Sequence, residues 1–186
     1  IGKMDGDSLP VSAFKDIADG QFETGASAYE KRGTAVMVPE WDPASCVQCN
    51  SCAFVCSHAT IRPFILNADE QAAAPSQIKL ADSKHATDTT MKYTMSVSPL
   101  DCMGCGECVT VCPKAGEALK MVPQESQADE QPVFDYLVAN VGKKDVGLSD
   151  ITPKGSQFNQ PLLEFSGSCA GCAETSYARL ITQLYG

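Results

Sequence analysis

Four short apolar segments set the pattern of the first two thirds of the chain. They lie at residues 35–38, 61–66, 93–97 and 118–122, and the third alternates apolar and polar positions as a half-buried strand does. We predict a β-strand at each of them. Pro63 has no backbone N–H to donate, which predicts that the second strand lies at the edge of its sheet.

The segments around these strands predict the rest of the organisation. Residues 1–34 are rich in Gly, Ser, Asp and Ala and predict an extended arm before a folded domain at 35–123. Inside that domain the polar, Ala-rich stretch 67–90 predicts a loop or insertion, and residues 124–165 predict a linker. In the last segment, 166–186, apolar residues recur at helical spacing and predict an amphipathic helix; they are Tyr177, Leu180, Ile181 and Leu184.

The charge of the chain limits the classes of partner. Its 186 residues carry a formal charge of −9 at pH 7, which argues against binding to nucleic acid or to an anionic membrane. No apolar run approaches the ~18 residues of a membrane-spanning helix, and no signal peptide is visible. We therefore expect a cytoplasmic protein. Because the sequence does not begin with Met, we also expect a piece of a longer polypeptide.

Ten cysteines are the dominant feature of the composition. The spacing C-x2-C-x2-C-x3-C starts at Cys46 and recurs at Cys102, displaced by 56 positions. Cysteines so close together would form strained disulfides, so ligation of metal by thiolates is the better interpretation. Each repeat predicts a strand, a cysteine loop, a short helix and a strand. Two repeats predict an α+β fold with the ferredoxin-like order β-α-β-β-α-β.

Two complete runs of this kind are typical of proteins that hold two [4Fe–4S] clusters. The fourth cysteine of a run lies one helical turn beyond the third, and in two-cluster ferredoxins it serves the cluster of the other run. The predicted first set is therefore Cys46, Cys49, Cys52 and Cys112, and the predicted second set is Cys102, Cys105, Cys108 and Cys56. Structural zinc is the alternative, although zinc sites usually use two separated CxxC pairs or Cys with His.

Two cysteines and two histidines lie outside this pattern. Cys169 and Cys172 cannot complete a cluster alone, and from their spacing half of a third cluster, a redox disulfide and two idle thiols all stay open. For His58, packing beside the cluster is favoured over a role as a ligand or proton relay. His85 is expected to be solvated. No carboxylate pair, phosphate loop or Ser/His/Asp pattern predicts a catalytic site.

The chain resembles the iron–sulfur segment of the pyruvate:ferredoxin (flavodoxin) oxidoreductase family, together with the start of its thiamine-diphosphate-binding domain. The resemblance covers essentially the whole chain. It rests on the segments LPVSAF (9–14), YEKRG (29–33), VPEW (38–41), CVQCN (46–50), LDCMGCG (100–106), GSQF (155–158), LEFSG (163–167), CAGCAETSY (169–177) and TQLYG (182–186). The chain departs from the family pattern at Ser57 and Ser176, where Pro is usual, and at Ala173. Gly is usual at Ala173, and we expect the alanine to crowd a turn that needs a positive φ.

The resemblance implies an anaerobic enzyme of pyruvate metabolism that uses thiamine diphosphate and coenzyme A. Such an enzyme forms acetyl-CoA and CO2 and passes electrons singly through a proximal cluster and two ferredoxin-type clusters to ferredoxin or flavodoxin. Cys169 and Cys172 match the first two ligands of the proximal [4Fe–4S] cluster. The implied partners are the other domains of the same polypeptide, in a homodimer. The alternative function is a free-standing two-cluster ferredoxin with extensions.

Overall fold

A computed structural model describes residues 4–186 of the chain, so the expectation for the arm at residues 1–3 lies outside the described residues. The described part is an α+β structure, as predicted. Its strands are β1 (Met37–Trp41), β2 (Ile61–Leu66), β3 (Ala81–Asp82), β4 (Lys92–Val97) and β5 (Leu119–Pro123). Its α-helices are α1 (Ser51–Val55), α2 (Ala68–Ala73), α3 (Glu107–Thr110), α4 (Glu130–Asn140), α5 (Pro153–Ser156) and α6 (Ala173–Tyr185).

The strands form two small antiparallel sheets. The first and last strands, β1 and β5, pair with Met37 opposite Pro123 and Trp41 opposite Leu119. The other sheet has the order β2-β4-β3, so β2 lies at an edge, where Pro63 is tolerated. Strand β2 has the predicted bounds. The first predicted strand is displaced: β1 begins two residues later and continues to Trp41.

The main core lies between these sheets and the two cysteine helices, α1 and α3. Trp41 and Tyr93 pack edge to face with ring centroids 6.0 Å apart. Cys52 of α1 and Cys108 of α3 are buried in the same apolar cluster. The core and the environment of these cysteines are therefore one and the same region of the protein.

A helix that the sequence did not predict lies within residues 124–165. Helix α4 buries Val133, Phe134 and Leu137, and two of them form a second apolar cluster with Leu66 at the end of β2. The apolar positions of α4 are mixed with polar ones over a short stretch, which explains why its pattern did not stand out. This helix extends the core beyond the two cysteine repeats.

The polar stretch 67–90 also contains regular structure. Asn67 caps α2 with a complete capping box, in which the Asn67 side chain accepts from the Glu70 N–H and the Glu70 side chain accepts from the Asn67 N–H. After α2 the chain returns through β3, which pairs with β4. The predicted insertion is thus a short helix and strand that extend the second sheet.

The arm before β1 contains three short 3₁₀ turns and no strand within its described residues; the turns are Gly6–Ser8, Val11–Ile17 and Ala26–Tyr29. Its residues are largely exposed until it nears the second cysteine loop. Among residues 4–186, none of the helices combines the length and the apolar character needed to cross a membrane.

Helix α6 forms where it was predicted, but the face it turns to the protein is polar. Arg179 and Gln183 are its buried residues. The apolar residues Tyr177, Ile181 and Tyr185 are 71%, 60% and 81% exposed. An apolar stripe therefore lies on the outside of the described part of the molecule.

Candidate metal centres

Two residues with left-handed backbone conformation shape the first cysteine loop. Gln48 and Asn50 have φ of 58° and 61°. They turn the chain so that the Gln48 N–H donates to Cys46 Sγ at 3.4 Å. Helix α1 starts after Asn50 and buries Cys52 on its inner side, and Cys56 follows its last residue.

The second cysteine loop has the same backbone shape with glycines at the matching positions, 56 residues later. Gly104 and Gly106 have φ of 69° and 79°, and the Gly104 N–H donates to Cys102 Sγ at 3.4 Å. A Cβ atom at Gly104 would lie 3.0 Å from the Met37 carbonyl oxygen and 3.2 Å from Ala35 Cβ. Glycine is therefore required at 104 for space as well as for φ.

Hydrogen bonds of Gln48 attach the insertion at residues 67–90 to the first cysteine loop. The Gln48 amide donates to the Asp82 carbonyl at 2.8 Å and accepts from the Lys84 N–H at 2.9 Å. His85 Nε2 lies 3.0 Å from the Gln48 carbonyl oxygen and donates to it, and burial lowers the pKa of His85. The expectation that His85 is solvated is wrong, because the insertion folds back over the loop.

Asn50 fastens the same loop to the core and to the C-terminal segment. Its side-chain oxygen accepts from the Tyr93 hydroxyl at 2.8 Å, and its amide donates to the Lys154 carbonyl at 2.9 Å. Both groups of the side chain are therefore satisfied inside the protein. Asparagine tolerates the left-handed conformation better than most residues, so it combines this backbone shape with two attachments.

One small pocket brings together cysteines from both runs. The cysteines that line it are Cys46, Cys49, Cys52 and Cys112, and Trp41, Met95 and Leu119 are among its apolar walls. Burial raises the pKa of Cys112, and the neighbouring Cys49 and Cys46 raise it further. In the described residues no three His, Cys, Asp or Glu side chains are placed to hold a single metal ion. The four thiols instead line one pocket.

Cys56, the fourth cysteine of the first run, lies close to the cysteines of the second run. Burial raises the pKa of Cys102 to about 11, and the charges of Cys56 and Cys105 act in the same direction. Burial also raises the pKa of Cys108 far above its usual range, with Cys56 as the largest charge contribution. Buried, mutually repelling thiolates are unfavourable by themselves and suit a positively charged iron centre. Both donor sets therefore fit [4Fe–4S] clusters.

The third pair of cysteines lies on a turn that touches the second set. Gly171, between Cys169 and Cys172, has φ of 70°, and a Cβ added there would be 3.5 Å from Cys105 Cβ. The Thr175 hydroxyl donates to Cys172 Sγ at 3.2 Å, and this bond lowers the pKa of Cys172. Ala173 is the first residue of α6 and is not among the residues with positive φ. The expected crowding at Ala173 is therefore wrong.

His58 connects the two cysteine segments through hydrogen bonds. Its Nδ1 lies 2.8 Å from the Ser57 hydroxyl, and its Nε2 lies 3.0 Å from the Ser168 carbonyl oxygen. Its carbonyl accepts from the Phe165 N–H at 2.9 Å. Both ring nitrogens are used by these contacts, so His58 holds the chain before Cys169 against the chain after Cys56.

Two buried arginines near Cys56 were missed by sequence reasoning. The Arg179 guanidinium donates to the carbonyls of Ala53 and Phe54, at 3.3 and 2.7 Å, and so binds the C-terminal end of α1. Arg62 forms an ion pair with Glu164 in the interior. Arg179 belongs to the polar face of an amphipathic helix, which normally indicates contact with solvent. No signal in the sequence marked it as buried.

Two known protein families match parts of the chain. Residues 45–115 match the family described as "4Fe-4S dicluster domain", and residues 1–35 match the family described as "EKR: Domain of unknown function". The chain thus carries a 4Fe-4S dicluster domain, consistent with a ferredoxin-like fold.

The relatives extend this likeness to the whole chain. It is 53% identical over all its residues to a pyruvate-flavodoxin oxidoreductase of Klebsiella pneumoniae and 46% identical to a pyruvate:ferredoxin oxidoreductase of Moorella thermoacetica. It is 44% identical to a pyruvate dehydrogenase [NADP(+)] of Cryptosporidium parvum. The chain spans 16% of the length of the two bacterial relatives and 10% of the third. The resemblance recognised in the sequence is confirmed: the chain corresponds to a part of these oxidoreductases, which are enzymes.

Proposed function

We propose that this chain is the electron-relay segment of a 2-oxoacid oxidoreductase acting on pyruvate. In this proposal electrons leave a thiamine diphosphate site during the conversion of pyruvate to acetyl-CoA and CO2 and pass through the chain to ferredoxin or flavodoxin. The observation that carries the proposal is the composition of the two cysteine sets. Cys112 lines a pocket with Cys46, Cys49 and Cys52, and Cys56 lies close enough to Cys102 and Cys108 to raise their pKa values. Each cluster would then take three cysteines from one run and the last cysteine of the other, the arrangement used by two-cluster ferredoxins.

The residues of the chain would hold and shield two [4Fe–4S] clusters, which accept and release single electrons when bound. The first set of cysteines, which includes Cys112, would hold one cluster. The second set, which includes Cys56, would hold the other. Backbone N–H groups of Gln48 and Gly104 donate to Cys46 and Cys102 sulfur, which stabilises thiolate charge. Apolar walls such as Trp41 keep water away, and both effects tune the reduction potential.

The contacts between the cysteine segments support an order of transfer. The turn at Gly171 touches Cys105 of the second set, and Cys108 of that set shares the core with Cys52 of the first. We propose that Cys169 and Cys172 are two ligands of a third [4Fe–4S] cluster, which other residues of the longer protein complete. Electrons would then pass from that site to the second set and from there to the first set.

The outer face of α6 supports a position inside a larger protein. Tyr177, Ile181 and Tyr185 expose a continuous apolar stripe that other domains of the same polypeptide would cover. We propose the arm at 1–34, the two-cluster domain at 35–123, the linker at 124–165 and the start of a thiamine-binding domain at 166–186. Helix α4, within 124–165, packs on the core of the two-cluster domain.

Metal analysis tests the proposal directly. Two clusters held by the 186-residue chain predict about eight iron and about eight acid-labile sulfide ions per chain after anaerobic preparation. Reduction with dithionite should produce the EPR signals of two reduced clusters. About four iron ions, or zinc in place of iron, would contradict the proposal. Restoring the rest of the polypeptide should add a third cluster and pyruvate-dependent reduction.

A further inference from the structure

Lys31 contacts a buried carboxylate next to the second cysteine set. Its Nζ donates to Asp101 Oδ2 at 2.7 Å and lies 3.3 Å from Asp135 Oδ1. The same ammonium group is 5.4 Å from the centre of the Phe165 ring. Lys31 is the middle residue of the YEKRG segment, which lies inside the part of the chain matched by a domain of unknown function.

Asp101 is the residue immediately before Cys102, and its side chain is only 3% exposed. Besides Lys31, the Ser98 hydroxyl donates to it at 2.6 Å. Arg62 is also close enough to Asp101 for their charges to interact, but it is paired with Glu164. A buried carboxylate beside a thiolate-ligated centre is unfavourable unless a positive charge compensates it. Lys31 supplies that charge.

The backbone around Lys31 is held in place on both sides. The Gly33 N–H donates to the Leu100 carbonyl at 2.7 Å, at the start of the second cysteine loop. The Ser27 hydroxyl donates to the Glu164 carbonyl at 3.0 Å, in the segment that leads to Cys169. The arm therefore contacts the second loop and the approach to the third cysteine pair, and Lys31 is fixed between them.

We propose that Lys31 is a positioning residue that compensates Asp101 and thereby raises the reduction potential of the cluster held by the second set. The inference rests on the proposed function, because it assumes that this set binds a cluster. Reduction adds a negative charge to the cluster, and an uncompensated carboxylate next to Cys102 would oppose it. Lys31 thus acts through Asp101 and touches neither substrate nor cluster ligand.

The experiment is a redox titration followed by EPR on the anaerobically purified protein that contains this chain. The signal of the second set is identified as the one that a Cys108→Ser variant loses. Lys31→Met is expected to lower the potential of that signal more than the potential of the first set. Asp101→Asn should raise it, and the double variant Lys31→Met/Asp101→Asn should return it towards the wild-type value. Lys15→Met, on an exposed part of the arm, removes the same charge and should leave both potentials unchanged.

The outcomes separate the inference from the proposed function. Equal shifts of both clusters, no shift, or no recovery in the double variant would overturn the role of Lys31 while leaving the two clusters in place. Absence of any signal that depends on Cys108 would overturn the proposed function itself. If Lys31→Met prevents cluster assembly, the variants Asp101→Asn and Lys31→Arg still test the inference through the reduction potential of the second set. The first should raise the potential and the second should preserve it, and failure of either would overturn the inference.

Discussion

The Tyr93 hydroxyl donates a buried 2.8 Å hydrogen bond to the side-chain oxygen of Asn50. This bond joins the central strand of the second sheet to the residue immediately before α1, between Cys49 and Cys52. Asn50 has a left-handed backbone conformation, with φ of 61°. The shape of the first cysteine loop is therefore maintained by a contact 43 residues away in the sequence.

Tyr93→Phe should destabilise the protein by about 1–3 kcal/mol, because Asn50 would keep a buried oxygen without a donor. It should also speed the loss of iron from the first set when a chelator is added. Tyr136→Phe is the matched control, because the Tyr136 hydroxyl donates to the Glu70 carbonyl away from the cysteines. Urea unfolding and the rate of cluster bleaching measure the two effects. Equal bleaching rates in both variants would contradict the role given to Tyr93.

Alanine at Gly104 should be more damaging than alanine at Gly106. Both positions have positive φ, which costs a residue with a Cβ about 1–2 kcal/mol. Only at Gly104 would the new Cβ also press on the Met37 carbonyl oxygen, while nothing lies within 4 Å of it at Gly106. Gly106→Asn should be tolerated best, because Asn serves at the matching position of the first loop. Cluster content and unfolding free energy of the three variants test this ranking.

If the fourth cysteine of each run is a ligand of the other run's cluster, its removal should weaken that other cluster. Cys56→Ala should weaken the cluster of Cys102, Cys105 and Cys108, and Cys112→Ala should weaken the cluster of Cys46, Cys49 and Cys52. The pair of variants is its own control, since each removes one thiol at the same point of its run. Cluster-resolved EPR measures the loss. Loss confined to the variant's own run would refute the crossed assignment.

Arg179→Met should release α6 from α1. The variant removes charged donors from the carbonyls of Ala53 and Phe54, a loss of about 1.5–3 kcal/mol for a hydrogen bond of this type. Amide hydrogen exchange across residues 173–185 should increase. Tyr177→Ala, on the exposed face of the same helix, should leave that exchange close to the wild-type rate in the 186-residue chain. Unchanged exchange in Arg179→Met would show that other contacts hold the helix.

Cys172 should react with iodoacetamide at a lower pH than an ordinary thiol in the 186-residue chain. The Thr175 hydroxyl lowers the pKa of Cys172, so the reactive thiolate is already present below the usual titration range of cysteine. Thr175→Val should move the midpoint of the rate–pH curve upwards. Mass spectrometry after alkylation identifies the labelled cysteines, and Cys169 should also be labelled. Protection of both cysteines would mean that the chain completes a third site by itself or by dimerising.

The cysteine spacing and the strand patterns are local properties, which is why the sequence by itself determined much of this protein. The x2 spacing needs tight turns, and the 56-residue repeat carries the left-handed positions of the first loop onto Gly104 and Gly106. Three of the four predicted strands lie within one residue of their observed bounds. The resemblance in the segments outside the cysteine runs also depended only on residue identity.

Only the tertiary structure decided which polar residues are buried. Periodicity assumes that apolar faces turn inward, yet α6 turns Arg179 inward because the end of α1 presents backbone carbonyls that need donors. The returning insertion likewise covers the buried Gln48 and half-buries His85, and Lys31 meets Asp101 across 70 residues of sequence. Such pairings depend on which segments come together in space. A pattern along the chain carries no information about them.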